Sequence, residues 1–333
     1  MRAVIRGTGS SVPEHKITNA DLEKLVDTND EWIVARTGIR ERGMLAEDEA
    51  TSHLATRAAR AALEMAGRDP SELDLIVVST MSPDMFCPSV AALVQRNLEC
   101  ERPIPCFDLN AACSGFGYGL QVCWDFIAAG RYQRILLIGA EGLTRFMDYE
   151  DRGTCILFGD GAGAVVLEAT DSETGLVASN TRADGNHWDL IQIPGGAAAQ
   201  PASPYTIAQR LQFVHMNGRA TFKLAVQTME QVARDTLKDA GWSLEDVDHL
   251  LVHQANQRII EAVIERLQVP LDKVPINIQR TGNTSAASIG ILLDECNREG
   301  RFSSGDKLLF VAFGSGLTWS ASALEWSATG PRD

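Results

Sequence analysis

Two stretches of the chain carry the same pattern of hydrophobic and polar positions. Residues 66–78 read AGRDPSELDLIVV and residues 240–252 read AGWSLEDVDHLLV, aligned without gaps. In each, an Ala/Leu-rich helical run stops at Ala-Gly, a polar turn follows, and Leu-Asp or Val-Asp leads into a short apolar run. The glycine suits a helix C-cap, and the apolar run suits a strand buried on both faces. A second pair, RILLIGA at 134–140 and KLLFVAF at 307–313, follows a Gly-Arg and a short turn in both places. A weaker third pair is GAGAVVLE at 161–168 against SASALEW at 320–326. The order helix, strand, loop, helix, strand, strand therefore occurs twice. A period near half the chain signals duplication and not a solenoid. The alternation predicts an α/β fold of mixed sheets covered by helices. Its halves, residues 1–170 and 171–333, are expected to stack face to face, with ligand sites at strand ends and between the halves. Residues 171–222 read as an insertion-rich connection, with PGGAAAQPAS at 194–203 as a loop.

With 333 residues, 45% of them hydrophobic, the chain can bury a large core. Its net charge of −14 argues against nucleic acid as a bulk partner, but leaves room for anionic ligands at a local basic patch. The seven cysteines are scattered, odd in number and free of any CxxC pair. That argues against a disulfide framework or a zinc knuckle and fits a reducing cytoplasm better. The opening Met-Arg-Ala-Val-Ile-Arg-Gly breaks its apolar run at once, so neither a signal peptide nor a membrane-spanning helix is expected. GTGSSV at 7–12 lacks the third glycine of a dinucleotide fingerprint, and GDGAGA at 159–164 lacks the lysine of a P-loop. No histidine or carboxylate cluster has metal-ligand spacing.

Three positions carry candidate chemistry. Cys113, in FDLNAACSGFGYGL, sits where a short strand turns into a helix of small residues. A thiol there meets the positive end of the helix dipole, which is expected to lower its pKa; the alternative is a buried structural cysteine. His253 follows the apolar run LLV and replaces, in the echo, Ser79, so it is the polar departure from a repeated strand. Asn283, in RTGNTSAASIGILL, opens another helix of small residues, where it is either an N-cap or part of a site. Cysteine, histidine and asparagine also form the constellation of papain-like proteases, but FDLNAACSGF is unlike their cysteine signature, and a duplicated α/β chain does not suit their fold.

DLNAACSGF, HQAN and GNTSAAS, in that order and spacing, resemble the β-ketoacyl-acyl carrier protein synthase III family of the thiolase superfamily. Further matches are DEWIVARTGIRER at 30–42, DRGTCILFGDGAGAVVLE at 151–168, NGRATFKLAV at 217–226 and FGSGLTWSASAL at 313–324. The resemblance spans essentially the whole chain. It implies two duplicated βαβαβαββ halves stacked as a five-layered α-β-α-β-α structure. It implies an acyltransferase that initiates fatty acid synthesis: Cys113 takes an acyl group from acyl-CoA, and the acyl-enzyme condenses with malonyl-acyl carrier protein as carbon dioxide departs. His253 and Asn283 would stabilise the enolate, and the backbone N–H groups of Cys113 and Ser315 would hold the tetrahedral oxyanion.

By the same resemblance, Trp32 and Arg36 would meet the adenine and phosphate end of CoA, with Arg152, Gly153, Gly218, Phe222 and Asn256 along its tunnel. Arg258 and Lys223 would dock the acidic carrier protein, extended by Arg40, Arg42 and Arg266; Glu265 stands where relatives often have a base. Cys87, in MFCPS, would reach across a homodimer interface to the primer pocket, where its small size implies branched or longer primers. No permanently bound cofactor and no metal are implied. A neighbouring reading keeps the fold but places the chain in secondary metabolism, as a polyketide-type condensing enzyme or an acyltransferase with a non-acetyl primer. The presence of both His253 and Asn283 favours decarboxylation. A thiolase proper would need a second catalytic cysteine in a late glycine loop, and Cys296 lies instead in the polar helical run LLDECNREG.

Overall fold

The computed structural model describes residues 2–172, 174–327 and 329–330. Nine strands form its two main sheets: β1 (Arg2–Ser11), β2 (Leu75–Ser79), β3 (Cys106–Leu109), β4 (Arg134–Glu141), β5 (Gly161–Thr170), β6 (Gly175–Ala183), β7 (His249–Val252), β8 (Lys307–Gly314) and β9 (Thr318–Glu325). The principal helices are α1 (Asp30–Thr37), α2 (Thr51–Ala66), α3 (Val90–Asn97), α4 (Gly115–Ala128), α5 (Gly218–Ala240), α6 (Gln257–Leu267) and α7 (Ser288–Arg298). The first sheet runs β1-β5-β4-β2-β3 and the second β7-β8-β9-β6. β2 pairs in parallel with β4, as β7 does with β8, and β4 pairs antiparallel with β5, as β8 does with β9. The repeated strings thus occupy equivalent places in the two sheets. Gly67 and Gly241, the echoed glycines, both end their helices with positive φ, 60° and 70°, a conformation open to glycine without a Cβ penalty.

Strand alternation assigns the layers. Along β4, Leu136 and Ile138 pack with Leu54, Ala58 and Ala62 of α2. Ile135 and Leu137 face the other way, onto Phe116 and Leu120 of α4. Along β8, Leu308 and Phe310 join that same middle cluster with Ile289 and Leu292 of α7, while Leu309 and Val311 pack on Ala225, Met229 and Val263 of α5 and α6. The order is helices, sheet, helices, sheet, helices. Each fully buried aliphatic side chain contributes roughly 1.5–3 kcal/mol, and this is why the strands read as continuous apolar runs.

Two details depart from the sequence reading. Residues 175–183, expected within a connection, form β6, an edge strand paired antiparallel with β9. β6 is the counterpart of β1, but its RADGN-bound sequence shares no pattern with β1, because an edge strand need not be apolar on both faces. Second, β3 has no counterpart strand in the second sheet. Gln254 ties the 277–278 segment to the end of β7 instead: its Oε1 accepts from the N–H of Asn277 (3.1 Å) and of Ile278 (3.2 Å), and its Nε2 donates to the Val252 carbonyl (2.8 Å). The 194–203 segment is a loop, as expected.

Candidate active site

The middle-layer helices α4 and α7 each begin at a tight elbow. A single 3-10 turn precedes each, Ala112–Ser114 before α4 and Ser285–Ala287 before α7. Ala112 and Ser285 hold nearly the same left-handed φ, 47° and 48°. Non-glycine residues adopt this at a cost of about 1–3 kcal/mol, so the surroundings must over-determine it. At the first elbow they do so by close approach. A Cβ on Gly314 would lie 2.6 Å from the Cys113 backbone nitrogen, so only glycine lets β8 reach it. The Thr318 hydroxyl donates to the Ala111 carbonyl (2.8 Å), and the Ser114 hydroxyl donates to the Thr318 carbonyl (3.0 Å). At the second elbow the Asn283 N–H donates to the Leu157 carbonyl (2.8 Å), and the Gly159 N–H donates to the Asn283 carbonyl (3.0 Å).

These elbows and the end of β7 bring Cys113, His253 and Asn283 to the wall of one cavity of about 130 Å³. Its remaining wall is mainly apolar, including Leu143, Val214, Ala225, Met229 and Phe313. Cys113 keeps some accessible surface on the cavity side, but its thiol lies deep among protein atoms. Burial pushes that thiol up to about 12, the reverse of the expected lowering: no cation among the described residues offsets it, and desolvation penalises the thiolate more than a helix end relieves it. His253 is driven down to about 3 by burial alone, and neither ring nitrogen has a hydrogen-bond partner among the described residues. It is a neutral imidazole at any ordinary pH. Asn283 Oδ1 accepts from the Ser285 N–H (2.9 Å), which leaves the NH₂ end as the free donor. Asn283 is therefore a wall residue of the cavity and not the N-cap of α7.

Gly218, Phe222, Asn256 and Ser315 line the same cavity. Asn256 also caps α6, its Oδ1 accepting from the Arg258 N–H (2.9 Å). The Ser315 hydroxyl donates to the Ile191 carbonyl (2.5 Å). Trp32, Arg36 and Arg152 form a separate group: the two guanidinium carbons lie 4.5 and 5.1 Å from the indole centroid. Arg152 is further held by the Asp27 carbonyl (2.9 Å), and the adjacent Gly153 is exposed in a turn, its N–H donating to Asp151 Oδ1 (2.8 Å).

Lys223 of α5 and Arg258 of α6 are exposed on two helices that pack together, and Arg40 is exposed. Arg266 is exposed but paired with Glu230 (2.9 Å). Arg42 does not extend that surface: it is 1% exposed. It lies opposite Ile17 in a small ribbon of residues 16–18 and 41–43, and donates to Asn19 Oδ1 (2.9 Å) and to the carbonyls of Ile156 (2.8 Å) and Ile17 (3.3 Å). Cys87 is exposed and lines neither this cavity nor the neighbouring hollow formed by Met85, Phe86, Ile193 and Gly195.

Sequence reasoning missed Glu141 and Gly314. Glu141 ends the apolar strand RILLIGAE as His253 follows LLV, so the same signal was present: a polar residue where a buried parallel strand ends. Gly314 lies within the matched string FGSGLTWSASAL, but its role is a contact made across the fold, which the local pattern does not show.

Residues 107–185 match the model for 3-oxoacyl-[acyl-carrier-protein] synthase III, and residues 237–326 match that for the C-terminal part of the same family. A relative from Caldanaerobacter subterraneus subsp. tengcongensis, beta-ketoacyl-[acyl-carrier-protein] synthase III, is 47% identical over 98% of both chains. The chain belongs to the 3-oxoacyl-[acyl-carrier-protein] synthase III family. Among solved structures, the synthase III of Aquifex aeolicus superposes with a TM-score of 0.90 at 44% identity, covering 97% of this chain and all of the other. The priming β-ketosynthase of the R1128 polyketide pathway superposes with a TM-score of 0.91 at 32% identity, covering 99% and 97%. The fold is the thiolase-like one that the duplicated sequence and the family resemblance imply.

Proposed function

We propose that the chain is a β-ketoacyl-acyl carrier protein synthase III, which loads an acyl group from acyl-CoA onto Cys113 and condenses it with malonyl-acyl carrier protein. The observation that carries this reading is the convergence of Cys113, His253 and Asn283 on one buried cavity. The sulfur attacks the thioester carbon, the backbone N–H groups of Cys113 and Ser315 hold the oxyanion, and CoA leaves. In the second stage the malonyl thioester carbonyl sits between His253 and the Asn283 NH₂. Loss of carbon dioxide builds negative charge on that oxygen. Two neutral, dry donors stabilise it without reorganising, each worth about 3–4 kcal/mol. The enolate carbon then attacks the acyl-cysteine.

The same proposal assigns Trp32, Arg36, Arg152 and Gly153 to the nucleotide end of CoA, where the indole and its two guanidinium neighbours offer stacking and phosphate pairing. Gly218, Phe222 and Asn256 line the route to Cys113. Lys223 and Arg258 receive the carrier protein, and a homodimer covers the exposed Met85 and Phe86 and brings Cys87 to the partner's primer pocket. Division into halves at 1–170 and 171–333 is supported by the strand membership of the two sheets. A cytoplasmic site of action is supported by the free thiols and by the carrier-protein substrate of the relatives; no helix among the described residues is long and apolar enough to cross a membrane.

The test is to incubate the protein with a panel of acyl-CoAs and malonyl-acyl carrier protein and read the carrier's mass. A β-ketoacyl gain that disappears in Cys113→Ala establishes the reaction and names the primer. An acylated cysteine with no carbon dioxide released turns the reading to acyl transfer without condensation.

A further inference from the structure

Glu141, at the end of β4, is fully buried and has no part in the reaction above. It forms no ion pair among the described residues, and donors ring its carboxylate instead. The N–H groups of Met81 (3.2 Å) and Ser82 (3.1 Å), the Thr80 hydroxyl (3.3 Å) and the Ser82 hydroxyl all point at it from the end of β2. The Ser285 hydroxyl donates to Oε1 from the second elbow (3.0 Å), and β4 packs directly on that Ser285–Ala287 turn. Ser285 gives its two donors to two different residues. Its hydroxyl goes to Glu141, and its backbone N–H goes to Asn283 Oδ1 (2.9 Å). The carboxylate and the Asn283 amide are thus joined through one residue, held at a left-handed φ of 48°.

We propose that Glu141 is a positioning residue for decarboxylation: by anchoring Ser285 it fixes which end of the Asn283 amide faces the cavity. The proposal rests on the condensing-enzyme reading. An asparagine side chain has a donor end and an acceptor end of nearly the same shape. With its NH₂ toward the malonyl thioester oxygen, Asn283 stabilises the charge that builds there. Turned over, it would set its own oxygen against that charge. The cavity wall around it is mainly apolar and does not select between the two. The Ser285 N–H does select, because it bonds an oxygen and not an NH₂. That N–H points at Asn283 while Ser285 keeps its left-handed turn, a conformation that is costly for a non-glycine residue and must be held from outside. The hydroxyl bond to Glu141 supplies the hold from the first sheet.

The other side of the clamp is itself pinned. The Gly142 N–H donates to the Ser82 hydroxyl (2.9 Å), and the Thr51 hydroxyl donates to the Ser82 carbonyl (2.6 Å). Glu141 therefore holds Ser285 from a fixed base. The role needs shape and hydrogen bonds, not charge. A glutamine at 141 can accept from the Met81 and Ser82 donors through its oxygen and donate to the Ser285 hydroxyl through its NH₂. A methionine there can do neither.

The test measures two half-reactions of the full chain: acylation of Cys113 by acyl-CoA, read by intact mass, and release of carbon dioxide from malonyl-acyl carrier protein. Ser285→Ala should slow carbon dioxide release by roughly tenfold and Glu141→Met by roughly 10²-fold, the scale of a misplaced group. Glu141→Gln should recover most of the rate lost in Glu141→Met. Acylation of Ser285→Ala should stay within about twofold of wild type. If Glu141→Met does not fold, Ser285→Ala decides. It keeps the other donors to Glu141, and alanine already takes the same φ at position 112. A double-mutant cycle gives the sharpest readout: added to Asn283→Ala, Ser285→Ala should change carbon dioxide release by less than about twofold, since the group it positions is gone. The same tenfold loss in both backgrounds, equal slowing of both half-reactions, or no slowing of either overturns the proposal. A wild-type protein that releases no carbon dioxide defeats the functional reading and this inference with it, whereas an active wild type with unaffected variants defeats this inference alone.

Discussion

Replacing His253 by leucine should change how stability responds to acid. In the unfolded chain the imidazole protonates near 6.5, and in the fold only near 3. The folded pKa is depressed, so the stability tied to the neutral ring is fully present above about pH 6.5 and is lost as pH falls toward 3. Each pH unit in that window costs the folded state about 1.4 kcal/mol, or about 2 kcal/mol between pH 7 and pH 5. Glu141 runs the other way. Its folded value is raised from 4.5 to about 7, so its contribution is full below about 4.5 and lost as pH rises through 7. In the wild type the two oppose each other across this window. His253→Leu removes one of them. The stability of the variant relative to wild type should then improve by about 2 kcal/mol on going from pH 7 to pH 5. Any packing difference is the same at each pH and drops out, as do the other carboxylates. With an unfolding entropy near 2.1 cal/mol/K per residue, this is a relative Tm gain of about 3 °C for a chain of this length. Calorimetric Tm values at fixed protein concentration measure it. Glu141→Gln should shift oppositely. A His253→Leu minus wild-type difference that stays within about 1 °C from pH 7 to pH 5 refutes the reasoning.

Asn283→Ala should slow release of carbon dioxide from malonyl-acyl carrier protein by roughly 10²–10³, while mass spectrometry still finds Cys113 acylated. Trp32→Ala should raise KM for acyl-CoA by about tenfold or more, the scale of one lost base stack, and leave kcat nearly unchanged in steady-state assays. Arg42→Met strands the carbonyls of Ile17 and Ile156 and the Asn19 amide oxygen in the core; chemical denaturation should show a loss of about 2–4 kcal/mol.

The sequence by itself determined what depends on local order. Helix stops at Gly67 and Gly241, apolar strands at 75–79 and 249–252, and the matched pair at 134–140 and 307–313 were legible because the strand repeat and the cap preference act within a few residues. The motifs around Cys113, His253 and Asn283 fixed the family in the same way. Tertiary structure alone decided the rest. Arg42 looked like a surface base and is a core donor, because its burial depends on what covers the ribbon of 16–18 and 41–43. β6 was hidden since an edge strand carries little apolar signal. The thiol of Cys113 rises instead of falling because desolvation is set by the walls that 81, 157, 214, 222 and 313 build around it. Gly314 against Cys113 and Ser285 against Glu141 join residues distant in the chain, and such contacts follow from how two sheets pack on one layer of helices, not from periodicity along either.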